Sequence, residues 1–74
     1  MRVAIIGGTG FVGGYIVDAL LADGNDVVAL VRPGSESKLR GDGKVRTIAG
    51  DLSSAESLAE LVRGCDAVIY NVGL

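Results

Sequence analysis

A cluster of glycines near the start of the chain constrains the fold more than any other feature. Five of the eight residues from 7 to 14 are glycine, directly after the β-branched run Arg2–Ile6 and before an apolar segment with helical spacing. Glycine adopts backbone conformations closed to other residues, but it weakens a helix interior. The cluster therefore marks a tight turn between a strand and a helix, and it argues against a signal or membrane-spanning segment over residues 3 to 22.

The next segments predict a strand, a helix and a second strand joined by short turns. Residues 27 to 31 are apolar without polar alternation, which is typical of a parallel strand buried on both faces. Gly24 stands where a left-handed cap would end the intervening helix over residues 11 to 23. The apolar face predicted for this helix consists of Val12, Ile16, Ala19 and Leu20.

The second half of the chain predicts a loop, a third strand, a helix and a fourth strand. The polar residues 33 to 43 indicate a loop with one helical turn, and residues 45 to 49 and 67 to 72 are the strands. Ser53 and Glu56 have the spacing of a capping box, and Gly64 would close the helix that it opens. The apolar side of that helix is predicted to consist of Ala55, Leu58, Leu61 and Val62.

The order of these elements predicts an α/β fold, a Rossmann-like doubly wound parallel sheet. With right-handed crossovers the four strands take the order 3-2-1-4. A chain of 74 residues buries only about 60% of its unfolded surface, so one core is expected. The fourth strand would be an exposed apolar edge. We therefore expect either a truncated domain that lacks its C-terminal half, or a partner, such as a second copy in a homo-oligomer, over this edge.

Composition excludes several kinds of site. The chain has no histidine and one cysteine, Cys65, which removes His-based triads, His-ligated zinc and internal disulfides, and no metal site is expected. The single cysteine and the absence of a targeting or membrane segment favour a cytoplasmic protein. Net charge is -2, yet residues 32 to 46 hold five of the seven basic residues and two acidic ones. This basic stretch has no interleaved aromatics or nucleic-acid motif, so nucleic acid is not an expected partner.

The glycine turn has the pattern of a dinucleotide-binding site. Gly8, Gly10 and Gly13 match G-x-G-x-x-G, and Gly7 gives a second register with the latter two. Such a turn lets a pyrophosphate approach bare backbone N–H groups at a helix N-terminus. The alternative is a turn that serves packing alone. The predicted cofactor contacts are Gly7, Gly8, Thr9, Gly10, Phe11, Val12 and Gly13.

The end of the second strand favours NADP(H) over NAD(H). An acidic residue here would bind the ribose 2′-OH of NAD, but the strand is followed by Arg32. A guanidinium suits a 2′-phosphate through its charge and planar donors. Lys38 and Arg40 lie within loop reach of the same point, and of these Lys38 is a weaker candidate for the same contact. The alternative is a solvated basic loop without a ligand.

Together these features resemble the N-terminal half of the extended or atypical short-chain dehydrogenase/reductase families. These include the NAD-dependent epimerase/dehydratases and the NmrA-like NADPH binders. The resemblance covers all 74 residues. It is based on residues 7 to 13, on Val31 and Arg32, on Gly50, Asp51 and Leu52, and on residues 70 to 74.

The resemblance implies further cofactor contacts. Asp51 matches the residue whose carboxylate accepts from the adenine amino group, and Leu52 would pack near the ring. Asn71, Val72 and Gly73 occupy the segment that passes the cofactor ribose, although Asn71 departs from the small or aromatic residue often found there. The alternatives are that Asp51 helps to cap the helix opening at Ser53 and that Asn71 only ends a strand.

No catalytic residue is predicted within the chain. The Tyr-x-x-x-Lys pair implied by the resemblance is absent, since Tyr15 is followed four residues later by Ala19 and Tyr70 by Leu74. Tyr70 and Cys65 are instead predicted to be buried core residues. Residues 1 to 74 would thus form the cofactor half of an NADP(H)-dependent oxidoreductase, epimerase or dehydratase, whose small-molecule substrate is bound by a missing C-terminal part. An NmrA-like NADP(H)-sensing module and a fragment that folds only with a partner are the alternatives.

Overall fold

The elements occur in the predicted order, and the sheet has the predicted topology. The computed structural model describes residues 1–39 and 43–71. All strand pairs are parallel, in the order β3-β2-β1-β4, which confirms the Rossmann-like α/β prediction. In chain order the elements are β1 (Arg2–Ile6), α1 (Phe11–Ala22), β2 (Asp26–Val31), a 3-10 turn (Glu36–Lys38), β3 (Arg46–Ala49), α2 (Ala55–Val62) and β4 (Ala67–Tyr70).

The two central strands, β1 and β2, are buried on both faces, as their unbroken apolar runs predict. Alternate side chains point to opposite sides of a strand, so the sheet divides the core into two clusters. On the α1 side, Val17 packs on Ile5, Val27, Ala29 and Val31. On the α2 side, Leu61 packs on Ala4, Ile6, Val28 and Leu30.

The predicted packing faces of both helices were partly wrong. In α1 the fully buried residues are Gly13, Gly14 and Val17, whereas Val12 and Ala19 are exposed. This helix is apolar on nearly every side, so spacing alone does not select a face, and the small glycines determine which side approaches the sheet most closely. Of the four residues predicted for the apolar side of α2, Leu61 is buried and Leu58 half-buried, while Ala55 and Val62 are exposed.

The end of α1 confirms the predicted cap. Gly24 has φ +82°, and its N–H donates to the Leu21 carbonyl at 3.1 Å. The N–H of Asn25 donates to the Leu20 carbonyl at 3.0 Å, which completes a Schellman motif. The chain therefore reverses directly into β2.

The start of α2 corrects the predicted capping box by one residue. Ser54, not Ser53, is the N-cap, and its Oγ accepts from the Ser57 N–H at 3.2 Å. Glu56 is consequently the second helical residue and not the third, where the box requires it. The physical reason is that the Ser53 side chain is directed toward Asp51, whose carboxylate accepts both the hydroxyl and the backbone N–H of Ser53.

Ser54→Ala is expected to destabilise the fold by about 1 kcal/mol, since it leaves a first-turn N–H without its acceptor. For a domain of this size the loss lowers Tm by roughly 4–8 °C. Thermal unfolding of Ser54→Ala beside Ser53→Ala measures it. A larger loss in Ser53→Ala would show that the cap had been assigned to the wrong serine.

Strand β4 lies at the edge of the described sheet, as predicted, and Tyr70 corrects a sequence prediction. Val68 is 49% and Tyr70 65% exposed, so Tyr70 is not a core residue. Tyr70 pairs with Ile6 and shares its α2-side face, but α2 packs mainly on β2 and β3. Cys65 is half-buried against the α2-side cluster, and its thiol donates to the Leu61 carbonyl.

Candidate functional site

A cleft of about 400 Å³ opens at the carboxyl ends of the parallel strands. Its floor is apolar, made by Ile6, Leu30 and Val31 at the ends of β1 and β2. Ligands of open α/β sheets bind at this position, and the volume lies within the range of small-molecule pockets. The predicted residues that line it are Gly7, Thr9, Gly10, Arg32, Lys38, Asp51, Leu52 and Asn71.

Two glycines of the turn are required by the fold itself. Gly7 has φ +89°, and a Cβ there would overlap the carbonyl oxygen of Asn71. A Cβ on Gly13 would overlap the Gly7 carbonyl oxygen and lie 2.9 Å from the Gly8 Cα. The absence of a side chain at Gly13 therefore lets α1 pack against the turn. The absence of a side chain at Gly7 lets the turn pack against the end of β4.

Gly10 differs from these two glycines. Its φ is -74°, which any residue adopts, and a Cβ there would come no closer than 3.7 Å to a described heavy atom outside its immediate neighbours, the Gly7 carbonyl oxygen. Gly10 is exposed and lines the cleft. Protein packing therefore does not require a glycine here, and the bare backbone leaves the cleft open above the start of α1.

The N-terminus of α1 has neither a side-chain cap nor a negative charge of its own. Its N-cap, Gly10, offers no side-chain acceptor, and the first turn carries no acidic residue. By contrast, α2 has both a capping hydroxyl, Ser54, and a first-turn carboxylate, Glu56. The first-turn N–H groups and the positive end of the α1 dipole are thus available to an anion at the cleft.

The loop after β2 brings two cations to the rim of the cleft. The Ser35 N–H donates to the Arg32 carbonyl at 3.0 Å, and the Lys38 N–H donates to the Ser35 carbonyl at 3.0 Å. These two turns fold the loop back, so Lys38 lines the same cleft as Arg32. Both side chains are exposed. Arg40 and Asp42 of the predicted basic stretch lie outside the described residues.

Asp51 lies at the rim with its carboxylate already oriented. Its Oδ1 accepts the Ser53 N–H at 2.8 Å and the Ser53 Oγ at 2.5 Å. The Ser53 hydroxyl, then its backbone N–H, lower the pKa of Asp51 below the ordinary value, with smaller contributions from the Ser54 N–H and the charge of Arg32. Asp51 therefore accepts hydrogen bonds from Ser53, just before α2, and also lines the cleft.

Besides the three apolar floor residues, two residues that line the cleft were not among the predicted contacts, Ser35 and Gly50. Ser35 follows Pro33 and Gly34, a pair that predicts a tight turn and so a reversal toward Arg32. In the sequence, Gly50 belongs to the Gly-Asp-Leu element of the resemblance but is not itself a predicted contact. A Cβ at Gly50 would overlap the Ser57 hydroxyl, so glycine is what allows α2 to pack against the end of β3.

Four predicted contacts lie outside the lining of the cleft. Gly8 and Gly13 are buried beneath the turn, and Phe11 and Val12 are exposed on α1. The Phe11 ring packs edge-on against Tyr15, with centroids 5.2 Å apart.

Asn71 lies at the cleft and donates its N–H to the Ile6 carbonyl at 2.8 Å. The remaining two predictions, Val72 and Gly73, fall outside the described residues.

A family model described as NAD(P)H-binding matches residues 7–73. This match begins directly after β1 and spans every later element of the structure, and it includes all of the predicted cofactor contacts. Within residues 1–39 and 43–71, neither helix is long and apolar enough to cross a membrane.

The curated relatives are much longer than this chain. The sterol-4-alpha-carboxylate 3-dehydrogenase, decarboxylating, of Dictyostelium discoideum is 34% identical over 69 residues, which are 93% of this chain and 21% of that protein. Phenylcoumaran benzylic ether reductase Betv6 of Betula pendula is 38% identical over an alignment 81 residues long, which covers 97% of this chain and 26% of the relative. The chain thus spans about a quarter or less of the length of these proteins.

Solved structures show the same architecture. Vestitone reductase from alfalfa matches with a TM-score of 0.78 and 31% identity, covering 97% of this chain and 25% of that one. A nucleoside-diphosphate-sugar epimerase from Pseudomonas aeruginosa matches with a TM-score of 0.85 and 27% identity, covering 96% and 24%. The resemblance to short-chain dehydrogenase/reductase proteins is therefore confirmed, with both reductases and epimerases among the similar proteins.

Proposed function

The chain belongs to the NAD(P)H-binding family, and we propose that its cleft binds the adenosine and pyrophosphate portions of NADP(H) in preference to NAD(H). The observation that carries this proposal is the uncapped N-terminus of α1 beside a glycine that packing does not require. A pyrophosphate placed against Gly10 would accept from the first-turn N–H groups and interact with the helix dipole.

The preference for NADP(H) rests on charge at the rim. Arg32 and Lys38 line the cleft together, and Leu30 and Val31, at the end of β2, offer no carboxylate to bind a 2′-OH. Arg32 would bind a 2′-phosphate through paired, charge-assisted hydrogen bonds, with Lys38 adding a second charge. The rim residue Ser35 lies between them in the chain and offers a hydroxyl to the same group.

The adenine would lie at the part of the rim formed by Asp51 and Leu52. Asp51 offers a carboxylate to the exocyclic amino group, and Leu52, which is 42% exposed, offers an apolar surface to the ring. The backbone at Asn71 would lie beside the ribose, next to the glycine turn. Val72 and Gly73 are proposed as contacts of that segment from the resemblance alone.

We further propose that the residues of this chain bind and orient the cofactor in a larger oxidoreductase, epimerase or dehydratase. Bound nicotinamide supplies hydride chemistry, while catalytic side chains and the substrate site come from outside residues 1 to 74. Support comes from the curated relatives named above, a dehydrogenase and a reductase, each about four or more times as long as the matched region. These names favour the enzyme over a sensing module.

The proposed site is testable residue by residue. On titration of the ¹⁵N-labelled chain with NADP⁺, we expect amide shift changes to concentrate in residues 7 to 12, 32 to 38 and 50 to 53, because these segments contain the lining residues of the cleft and their immediate neighbours. Amides at the other end of the sheet, such as Gly24 and Gly64, serve as internal controls. Changes confined to the control end, or an absence of saturable changes, would contradict the proposal.

A further inference from the structure

Asp51 and Ser53 form a local hydrogen-bonded pair at the adenine part of the rim. Ser53 donates its backbone N–H and its hydroxyl to one and the same oxygen, Oδ1 of Asp51. Two donors on one oxygen fix the rotation of the carboxylate. Neither of these hydrogen bonds uses Oδ2, and Asp51 lines the cleft.

The hydroxyl of Ser53 is not needed to start the second helix. That task belongs to Ser54, whose Oγ accepts from the Ser57 N–H. Ser53 is itself exposed and lies outside the lining of the cleft. The described partner of its side chain is the Asp51 carboxylate, so its effect on a ligand must pass through Asp51.

We propose that Ser53 is a positioning residue that holds the Asp51 carboxylate with Oδ2 toward the cleft, where it selects the amino group of adenine over an oxo group. The inference rests on the proposed function, because it needs a nucleotide in this cleft. A carboxylate oxygen only accepts hydrogen bonds, so it accepts from the adenine amino group and repels the carbonyl oxygen of hypoxanthine. A fixed carboxylate discriminates better than a rotating one because less freedom is lost on binding.

The protonation state of Asp51 supports the same role. Donation from the Ser53 hydroxyl is the largest cause that holds the pKa of the Asp51 carboxyl below its ordinary value, and the guanidinium of Arg32 acts in the same direction. The charged, acceptor-only form therefore persists to lower pH than in an isolated aspartate. Loss of the hydroxyl is expected to raise this pKa, whereas another hydroxyl residue is expected to keep it low.

The test compares Ser53→Ala, Ser53→Thr and Ser54→Ala in the 74-residue chain. The dissociation constants of NADP⁺ and of its hypoxanthine analogue give an adenine preference for each protein, and ¹³C NMR of the Asp51 carboxyl gives its pKa without any nucleotide. We expect Ser53→Ala to reduce the preference about fivefold, the usual effect of one hydrogen bond, and to raise the Asp51 pKa. Ser53→Thr and the cap variant Ser54→Ala should retain both the preference and the low pKa.

The outcomes separate this inference from the proposed function. If the unmodified chain binds neither nucleotide, the proposed function fails and the inference fails with it. If the unmodified chain binds both equally, or if Ser53→Ala keeps the full adenine preference, the inference alone is overturned, whatever the pKa of Asp51 does. An equal loss of preference in Ser54→Ala would assign the effect to the helix end and overturn it as well.

Discussion

Gly10→Val is expected to weaken the binding of both NADP⁺ and NAD⁺ by about 100-fold or more, equivalent to about 2.7 kcal/mol, while the chain remains folded. The backbone of Gly10 is extended, with φ -74° and ψ 172°, and a valine accepts this conformation. Its branched side chain would occupy the cleft beside the α1 N-terminus, where the pyrophosphate is proposed to lie. Calorimetric titration of each dinucleotide, with circular dichroism as the check on folding, measures the loss.

Gly13→Ala provides the contrasting variant. A Cβ at this position overlaps the Gly7 carbonyl oxygen, so we expect destabilisation by about 3 kcal/mol or more from forced backbone movement. A domain of this size has a total stability of about 4–11 kcal/mol, so such a loss is readily seen in urea unfolding. A folded Gly10→Val chain that binds both dinucleotides normally would show that the pyrophosphate lies elsewhere.

Arg32→Ala is expected to weaken NADP⁺ binding about 30-fold and to change NAD⁺ binding by less than about twofold. The difference corresponds to about 2 kcal/mol, typical of hydrogen bonds to a charged group. Arg32 lines the cleft at the end of β2, where only the 2′-phosphate distinguishes the two cofactors. Parallel titrations at one fixed ionic strength measure the ratio, because salt screens exposed charges.

Arg46→Ala is the matched control for Arg32→Ala. Arg46 is an exposed arginine that belongs to the same basic stretch, but it lies at the start of β3, opposite Val28, and does not line the cleft. The Arg46→Ala substitution removes the same net charge as Arg32→Ala, and it should leave the ratio of the NADP⁺ and NAD⁺ dissociation constants unchanged. Equal losses of both cofactors in Arg32→Ala, or an effect of Arg46→Ala as large, would mean that Arg32 does not recognise the 2′-phosphate.

The topology followed from the sequence because its signals were local and mutually consistent. The unbroken apolar runs of β1 and β2 required burial on both faces, and Gly24 marked the turn between α1 and β2. Right-handed crossovers with helices on both faces of the sheet then predicted the order 3-2-1-4. The cleft at the carboxyl ends of the strands is a consequence of that arrangement, so most of its lining residues could be predicted.

Details that depend on competition between neighbours could not be predicted in the same way. Ser53 has the spacing of an N-cap, but it donates its hydrogen bonds to Asp51, and Ser54 is the residue that caps α2. The burial of Tyr70 depends on where α2 crosses the sheet, which the residues of β4 do not reveal. The different roles of Gly10 and Gly13 also required coordinates, since the sequence pattern treats both glycines alike.

The most direct test of the central claim is a calorimetric titration of the 74-residue chain with 2′,5′-ADP and with 5′-AMP at one low salt concentration. Both ligands probe the adenosine half of the cleft, and they differ only in the 2′-phosphate. We predict tighter binding of 2′,5′-ADP by about tenfold or more, because Arg32 and Lys38 meet the added charge. Equal affinities would contradict the NADP(H) preference, and no binding of either ligand would contradict the assignment of the cleft as a cofactor site.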